Sequence, residues 1–237
     1  TPGFARGRAK LGLGSSAAVA AAATALMLAR AEGRADVPLS EILEVALAAH
    51  KRAQGGRGSG ADVAVSVHGG VILFRIRGAL ERIDVLPVAA AFAWTGRSAS
   101  TTELVARIQV FAQRAPEEHR AQMRELGGLA DELASAYALQ RAKEIVRLTS
   151  AYGIAMERLG EASGAPIVTE IHARVAALAR ESGGAGKPSG AGGGDLAMAV
   201  FADLADRDRF CKKALAAGIP LVDLRCSAPG VEIAARP

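Results

Sequence analysis

Three stretches of the chain combine small residues and charge in ways that could bind anions. Gly12-Leu13-Gly14-Ser15-Ser16-Ala17 runs directly into an alanine-rich segment, and Gly58-Ser59-Gly60-Ala61-Asp62 sets a carboxylate behind a glycine loop. The third is Lys187-Pro188-Ser189-Gly190-Ala191-Gly192-Gly193-Gly194-Asp195. A glycine turn that leads into a helix gathers bare backbone N–H groups and the positive end of the helix dipole at one point, which favours phosphate. The first stretch also fits the dinucleotide pattern G-x-G-x-x-A, with Glu32 downstream as a ribose ligand, provided that a βαβ unit surrounds it. Taken alone, Asp62 serves an Asx turn or a helix cap as well as it serves catalysis. The third stretch is not a Walker A loop, because Pro188 follows Lys187 where that motif needs Ser or Thr. Its crowded glycines disfavour folding unless backbone must approach a ligand closely.

The elements around these stretches follow from periodicity and punctuation. Ala17 to Arg30 has no internal Gly or Pro and reads as a helix, with Ser15 or Ser16 as its N-cap and Glu32 at a solvated end. A second helix runs from Ser40 to about His50, which closes it, although His50 and His68 can also be read as polar contacts near a site. Val63 to Val67 alternates like a strand, but a short helix capped near Asp62 competes with that reading. Val71 to Ile76 reads as a strand with His68 at its start, and the polar stretch from Gly78 to Asp84 as a domain boundary. Val88 to Trp94 reads as a buried strand, with Trp94 as a packing anchor. Ser100 and Glu103 form a capping box for a helix over 101–114. Further helical patterns cover 116–137, 140–159, 168–181, 195–205 and 210–216, and strands are expected over 220–225 and 231–234.

Composition narrows the function classes. The chain has 237 residues, half of them hydrophobic, and 29 Lys+Arg against 24 Asp+Glu give a formal charge of +5. Six of those cations are lysines, so the basicity is carried by arginine, which suits anionic ligands. With nine aromatics and no run of more than two basic residues, the chain does not look like a nucleic-acid binder. The longest apolar run, residues 17–29, is too short to span a bilayer. Cys211 and Cys226 are too few for a disulfide framework, which favours a reducing, cytoplasmic setting, and both read as unreactive core or near-core residues.

Taken together and in this order, the glycine stretches resemble the GHMP kinase superfamily. Its second motif looks like Gly12 to Ala18, and its third like Lys187 to Asp195. Within the superfamily, Ala53-Gln54-Gly55-Gly56-Arg57-Gly58-Ser59-Gly60-Ala61-Asp62-Val63-Ala64 and Trp94-Thr95-Gly96-Arg97-Ser98-Ala99-Ser100-Thr101 are most similar to the phosphomevalonate kinase family. One departure is Gly56, where that family often has Lys; Arg57 stands next to it. The resemblance implies an α+β fold with two domains, the remainder of an S5-like N-terminal domain over 1–84 and a ferredoxin-like C-terminal domain over 85–237. It also implies a first, substrate-binding motif ahead of Thr1.

The implied activity is ATP-dependent phosphorylation of 5-phosphomevalonate in the mevalonate route to isoprenoids, by a monomer or homodimer that engages neither membrane nor nucleic acid. Gly12, Leu13, Gly14, Ser15, Ser16 and Ala17 would hold the ATP phosphates, Lys10 would neutralise them, and Ser16 would ligate Mg²⁺. Asp62 matches the catalytic aspartate, and here it is expected to orient substrate or Mg²⁺, because a phosphate acceptor with a second pKa of about 6 is already ionised near neutrality. Arg57, Ser59, Gly60, Arg97 and Ser98 would hold the acceptor. Lys187, Ser189, Gly190, Ala191, Gly192 and Gly193 would close over the transferred group. Alternatives are mevalonate kinase or another alcohol kinase of the superfamily, a non-catalytic ligand-binding homologue, and a dinucleotide-dependent oxidoreductase.

Overall fold

The computed structural model describes residues 5–6, 9–34, 36–56, 58–76, 80–83, 85–224 and 226–233. Arg57 lies outside them, and the side chain of Lys10 is likewise not described. The described elements are β1 (Ala5–Arg6), β2 (Ala9–Lys10), α1 (Ser15–Glu32), α2 (Leu39–Ala53), α3 (Ala61–His68), β3 (Val71–Phe74) and β4 (Leu80–Ile83). They are followed by β5 (Ala89–Trp94), α4 (Thr101–Arg114), α5 (Pro116–Ala138), α6 (Ala142–Ser163), α7 (Glu170–Glu181), β6 (Ala185–Pro188), β7 (Leu196–Phe201), α8 (Leu204–Ala216) and β8 (Leu221–Val222). They fall into two compact units, one made of 13–86 with 225–237, the other of 1–12 with 87–224. Among the described residues no helix is long and apolar enough to cross a membrane.

In the first unit, α1, α2 and α3 pack through small side chains. Ala17, Ala21 and Ala25 of α1 are buried with Ile42 and Ala46 of α2 and Val63 and Val67 of α3. Alanine at the contact lets the backbones approach closely, so the starts of α1 and α3 can be held near each other. The outer face of α1 is apolar too, with Val19, Leu26 and Met27 exposed. β3 pairs antiparallel with β4, with Val71 opposite Ile83. The polar stretch after residue 77 therefore contains a strand, whose alternation hides in Leu80-Glu81-Arg82-Ile83. Residues 226–233 return to this unit: Gly70 donates to the Ala228 carbonyl at 2.8 Å, and Val231 to that of Val67 at 3.1 Å. They form no extended strand, contrary to the expectation for 231–233; Ala234 lies outside the described residues.

The second unit carries an antiparallel sheet in the order β6-β7-β5-β8. Its chain order, β5, helices α4 to α7, β6, β7, α8, β8, is the βαββαβ pattern of a ferredoxin-like domain, as the sequence implied. The helix expected over 195–205 is instead β7 followed by α8. Leu196-Ala197-Met198-Ala199-Val200-Phe201 is buried nearly throughout, and a short run apolar at every position does not distinguish a central strand from a buried helix. β8 is also shorter than expected. Ser100 caps α4 by accepting from the Glu103 amide at 3.3 Å. Cys226, expected near the core, is exposed, while Cys211 is partly buried.

His172 is fully buried at the start of α7. Its Nδ1 accepts from the Thr169 amide at 3.1 Å while Thr169 Oγ1 accepts from the His172 amide, a reciprocal capping box. The Nε2 is buried with no hydrogen bond of ordinary geometry. Burial pushes the ring's pKa down to about 4, against the pull of the Leu196 and Gly194 carbonyls and with the help of the Arg97 and Lys187 charges. In the unfolded chain the imidazole protonates near pH 6.5. Between that pH and 4 the unfolded state binds more protons, so stability rises with pH. About 3 kcal/mol is lost as pH falls across this window. Denaturation midpoints measured from pH 7 to pH 4 should fall, and the fall should be shallower in His172→Gln, which keeps a cap acceptor without a titrating ring. Equal slopes in the two proteins would contradict the assignment.

Candidate functional site

The start of α1 is built for exposed amides. Gly14 is its N-cap, in the left-handed region at φ 69°, and no side chain caps it. Ser15 and Ser16, expected to cap, instead lie in the first helical turn, so the amide groups there keep their donors. α3 begins the same way, with Gly60 as N-cap at φ 83° and again no side-chain cap of its own. The stretch 63–67, left open between strand and helix, is helical. Asp62 sits in its first turn, and its Oδ1 accepts from the Val63 amide at 3.0 Å. Ser59 Oγ accepts from the Ala61 amide at 3.3 Å.

The two helix starts meet. A methyl group on Gly14 would lie 3.4 Å from Asp62 Cβ, so the glycine turn of the first motif and the aspartate of the second are neighbours. Beside them, Ser16 Oγ is 3.2 Å from His50 Nε2, and that nitrogen is 3.1 Å from Gln54 Nε2. His50 is buried within the last turns of α2. In the sequence His50 reads as a helix end or as a polar contact near the site; it lies in the last turn of α2, one helical turn from Gln54. His68, expected to open a strand, ends α3, and burial, helped by Arg82, lowers its pKa.

In the other unit, Ser189 to Asp195 forms the turn between β6 and β7 and does not lead into a helix. The Ser189 amide donates to the Leu196 carbonyl at 2.9 Å, and the Gly193 amide to that of Ile167 at 2.8 Å. Its glycines are explained largely by protein contacts. A methyl on Gly194 would lie 2.7 Å from the Arg97 carbonyl oxygen and 2.9 Å from the Ala99 nitrogen, and one on Gly192 would lie 2.9 Å from the Ile167 carbonyl carbon. Ser189, Gly190 and Ala191 are exposed, and a methyl on Gly190 would meet nothing within 4 Å.

The Thr95–Ser98 segment is bound to this turn. The Asp195 amide donates to the Arg97 carbonyl at 2.8 Å, Thr95 Oγ1 donates to the Asp195 carbonyl at 3.0 Å, and the Asp195 carboxylate accepts from the Ala99 amide at 3.1 Å. Arg97 and Ser98 are exposed next to it. Lys187, partly buried on β6, donates to the Pro188 carbonyl at 2.8 Å and lies 5.3 Å over the Tyr152 ring; burial lowers its pKa to about 8. Gly12 also belongs to this unit, and a methyl there would lie 2.6 Å from Asp195 Cβ. β1 and β2 are antiparallel neighbours, and α1 is followed by α2 and α3. No βαβ unit therefore surrounds Gly12 among the described residues, which removes the dinucleotide reading.

Residues 6–70 match the family model of the GHMP kinases N terminal domain. No curated protein sequence matches the chain. Among solved structures, the Lin0012 protein from Listeria innocua has a TM-score of 0.84 at 22% identity, over 93% of this chain and 68% of that one. Streptococcus pneumoniae phosphomevalonate kinase, in complex with phosphomevalonate and AMPPNP, has a TM-score of 0.78 at 18% identity, over 93% and 70%. L. major mevalonate kinase, in complex with R-mevalonate, has a TM-score of 0.67 at 20% identity, over 84% and 61%. The chain thus shares their fold and spans between 61% and 70% of their lengths.

The contact of Gly12 with Asp195 is directly testable. Gly12→Ala combines a left-handed φ with a clash against Asp195, and should destabilise the protein by about 2–4 kcal/mol. Asp195→Gly suits φ 56° at that position and removes the obstruction. In denaturant titrations the double variant should show a coupling of at least about 1 kcal/mol. Strict additivity would mean that the two residues do not touch.

Proposed function

We propose that the chain is a small-molecule kinase of the GHMP type that transfers the γ-phosphoryl group of ATP to 5-phosphomevalonate, giving 5-diphosphomevalonate and ADP; the match of residues 6–70 to the GHMP kinases N terminal domain and the shared fold support this reading. The observation that carries this reading is the meeting of two helix starts that begin on left-handed glycines, those of α1 and α3, with Asp62 beside Gly14. Phosphoryl transfer asks mainly for positioning and charge neutralisation, and a pair of glycine-capped helix starts supplies both without long side chains. Each start stabilises an anion by about 0.3–1 kcal/mol, more where water is excluded.

The residues then take these roles. Amides from Gly12 to Ala17 hold the ATP phosphates, and Lys10 adds a compact positive charge. Arg57, Arg97 and Ser98, with Ser59 and Gly60, hold the anionic acceptor; arginine suits this because its planar fork matches phosphate oxygens. Lys187, Ser189, Gly190, Ala191, Gly192 and Gly193 close over the transferred group, with the amides of Gly190, Ala191 and Gly192 as its backbone donors, since those of Ser189 and Gly193 are held by the Leu196 and Ile167 carbonyls.

Among the described residues no group of three or more His, Cys, Asp or Glu could hold a metal alone. Mg²⁺ does not need such a cage, since it retains waters and is held by one or two protein oxygens plus phosphates. The Ser16 hydroxyl and the Asp62 carboxylate are hard oxygen donors on the two helix starts, so the donor set fits. When bound, Mg²⁺ would neutralise charge on the phosphates. Asp62 orients the reactants, because the acceptor phosphate is already largely ionised at neutral pH, with a second pKa of about 6.

A mevalonate kinase reading is favoured by the likeness to the L. major enzyme, whose identity to this chain is comparable. A coupled assay of ADP release with phosphomevalonate and with mevalonate separates the two. Turnover with phosphomevalonate is expected, and turnover with mevalonate alone would reassign the acceptor. Ligand binding without turnover on either would point to a non-catalytic homologue. Asp62→Asn should lower kcat at least about tenfold, consistent with lost positioning, while ATP affinity is kept; an unchanged rate would remove Asp62 from the site.

A further inference from the structure

The kinase reading gives Ser16 a task but does not explain the buried histidine behind it. Resting on that reading, we infer that His50 is a positioning residue that fixes the Ser16 hydroxyl so that its lone pairs face a nucleotide-bound cation. His50 Nε2 lies 3.2 Å from Ser16 Oγ and 3.1 Å from Gln54 Nε2. The ring is 8% exposed, whereas Ser16 is exposed. One side of the hydroxyl therefore meets the ring and the other meets solvent.

The Gln54 amide faces the ring with its NH₂. In that arrangement Nε2 accepts, the ring proton belongs on Nδ1, and Ser16 donates as a second partner to the single Nε2 lone pair, which leaves its own oxygen lone pairs for the outside. That is the side a hard cation requires, because Mg²⁺ takes oxygen acceptors in a near-ideal octahedron. Ser16 sits in the first turn of α1, and the residue four before it, Gly12, lies ahead of the helix, so no helical carbonyl takes the hydroxyl and its orientation is set by His50. Small side chains at the contact of α1 with α2, Ala17, Ala21 and Ala46 among them, bring the ring within reach. Gln54, one turn beyond His50, fixes the tautomer.

The reversed arrangement, with Gln54 turned over and Nε2 donating to Ser16, would aim the hydroxyl hydrogen outward and suit a phosphate oxygen instead. The two arrangements differ in their metal dependence, so equilibrium binding of ATP with Mg²⁺ and with a chelator decides between them. His50→Leu should weaken Mg·ATP about tenfold, equivalent to about 1.4 kcal/mol, and metal-free ATP by less than about twofold. His50→Gln, which offers an acceptor at a similar reach, should recover most of the loss. Ser16→Ala with His50→Leu should lose no more than Ser16→Ala alone, because His50 acts through Ser16. Equal losses with and without Mg²⁺, or additive losses in the double variant, would overturn the inference.

A second readout does not depend on nucleotide. In the ligand-free protein the ring-nitrogen NMR shifts of His50 should show an unprotonated Nε2 that moves in Ser16→Ala, and an unmoved signal would show that the pair does not form. Wild-type protein that binds neither form of ATP would overturn the kinase reading and the cation role with it, while the NMR measurement would still decide whether the Ser16–His50 pair exists.

Discussion

Backbone amides at two helix starts are the constraint on which the rest of this structure turns. A helix leaves its first N–H groups without internal partners, and most helices satisfy them with a Ser, Thr, Asp or Asn cap. α4, α7 and α8 do so here, through Ser100, Thr169 and Asp203. The N-cap residues of the other five described helices supply no side-chain cap, and of these only α1 and α3 begin on a glycine in the left-handed region. Both glycine starts fall in the motifs that carry the family resemblance, and they lie next to each other. The packing beneath them follows from this. Alanines along α1 and valines along α3 allow a close helix contact, and the same contact brings Asp62 to Gly14.

The glycines divide into two kinds. Gly14 and Gly60 set helix starts, and Gly60 also leaves room for Leu47. Gly12, Gly192 and Gly194 are needed by neighbouring protein atoms: Gly12 lies against Asp195, Gly192 against Ile167, and Gly194 against Arg97, Ser98 and Ala99. The cost of ordering so many glycines is therefore offset partly by hydrogen bonds within the protein, from Asp195 to the Arg97 carbonyl and from Gly193 to the Ile167 carbonyl. Gly190 and Ala191, exposed at the tip of that turn, have no such internal explanation, and a methyl on Gly190 would meet nothing within 4 Å.

Most helices could be read from the sequence because their apolar positions recur with the helical period and their ends carry ordinary punctuation, as with Ser100 before α4 and Pro116 at the start of α5. The errors have local physical causes. Leu196 to Phe201 is apolar at every position, so it has no period to read, and burial in the middle of the sheet decides for a strand. β4 is four residues long and carries Glu81 and Arg82 outward, which makes it look like a linker. Ser15 and Ser16 resemble a cap in sequence, but Gly14 takes the cap position by adopting a φ that serine disfavours. The partnership of Ser16 with His50 spans 34 residues, and no local pattern announces a contact between helices. Gly14 beside Asp62 was legible only through the order of motifs.

The central claim is that the amides opening α1 and α3 form one phosphate cradle. Backbone ¹⁵N–¹H shifts followed while Mg·ATP is titrated into the protein test it directly. The account predicts that the largest changes fall on Ser15, Ser16, Ala17 and Asp62, whose amide opens α3 while those of Ala61 and Val63 are held by Ser59 and Asp62 side chains, and that they saturate together with a single affinity. Saturable binding whose changes bypass those four amides would contradict it.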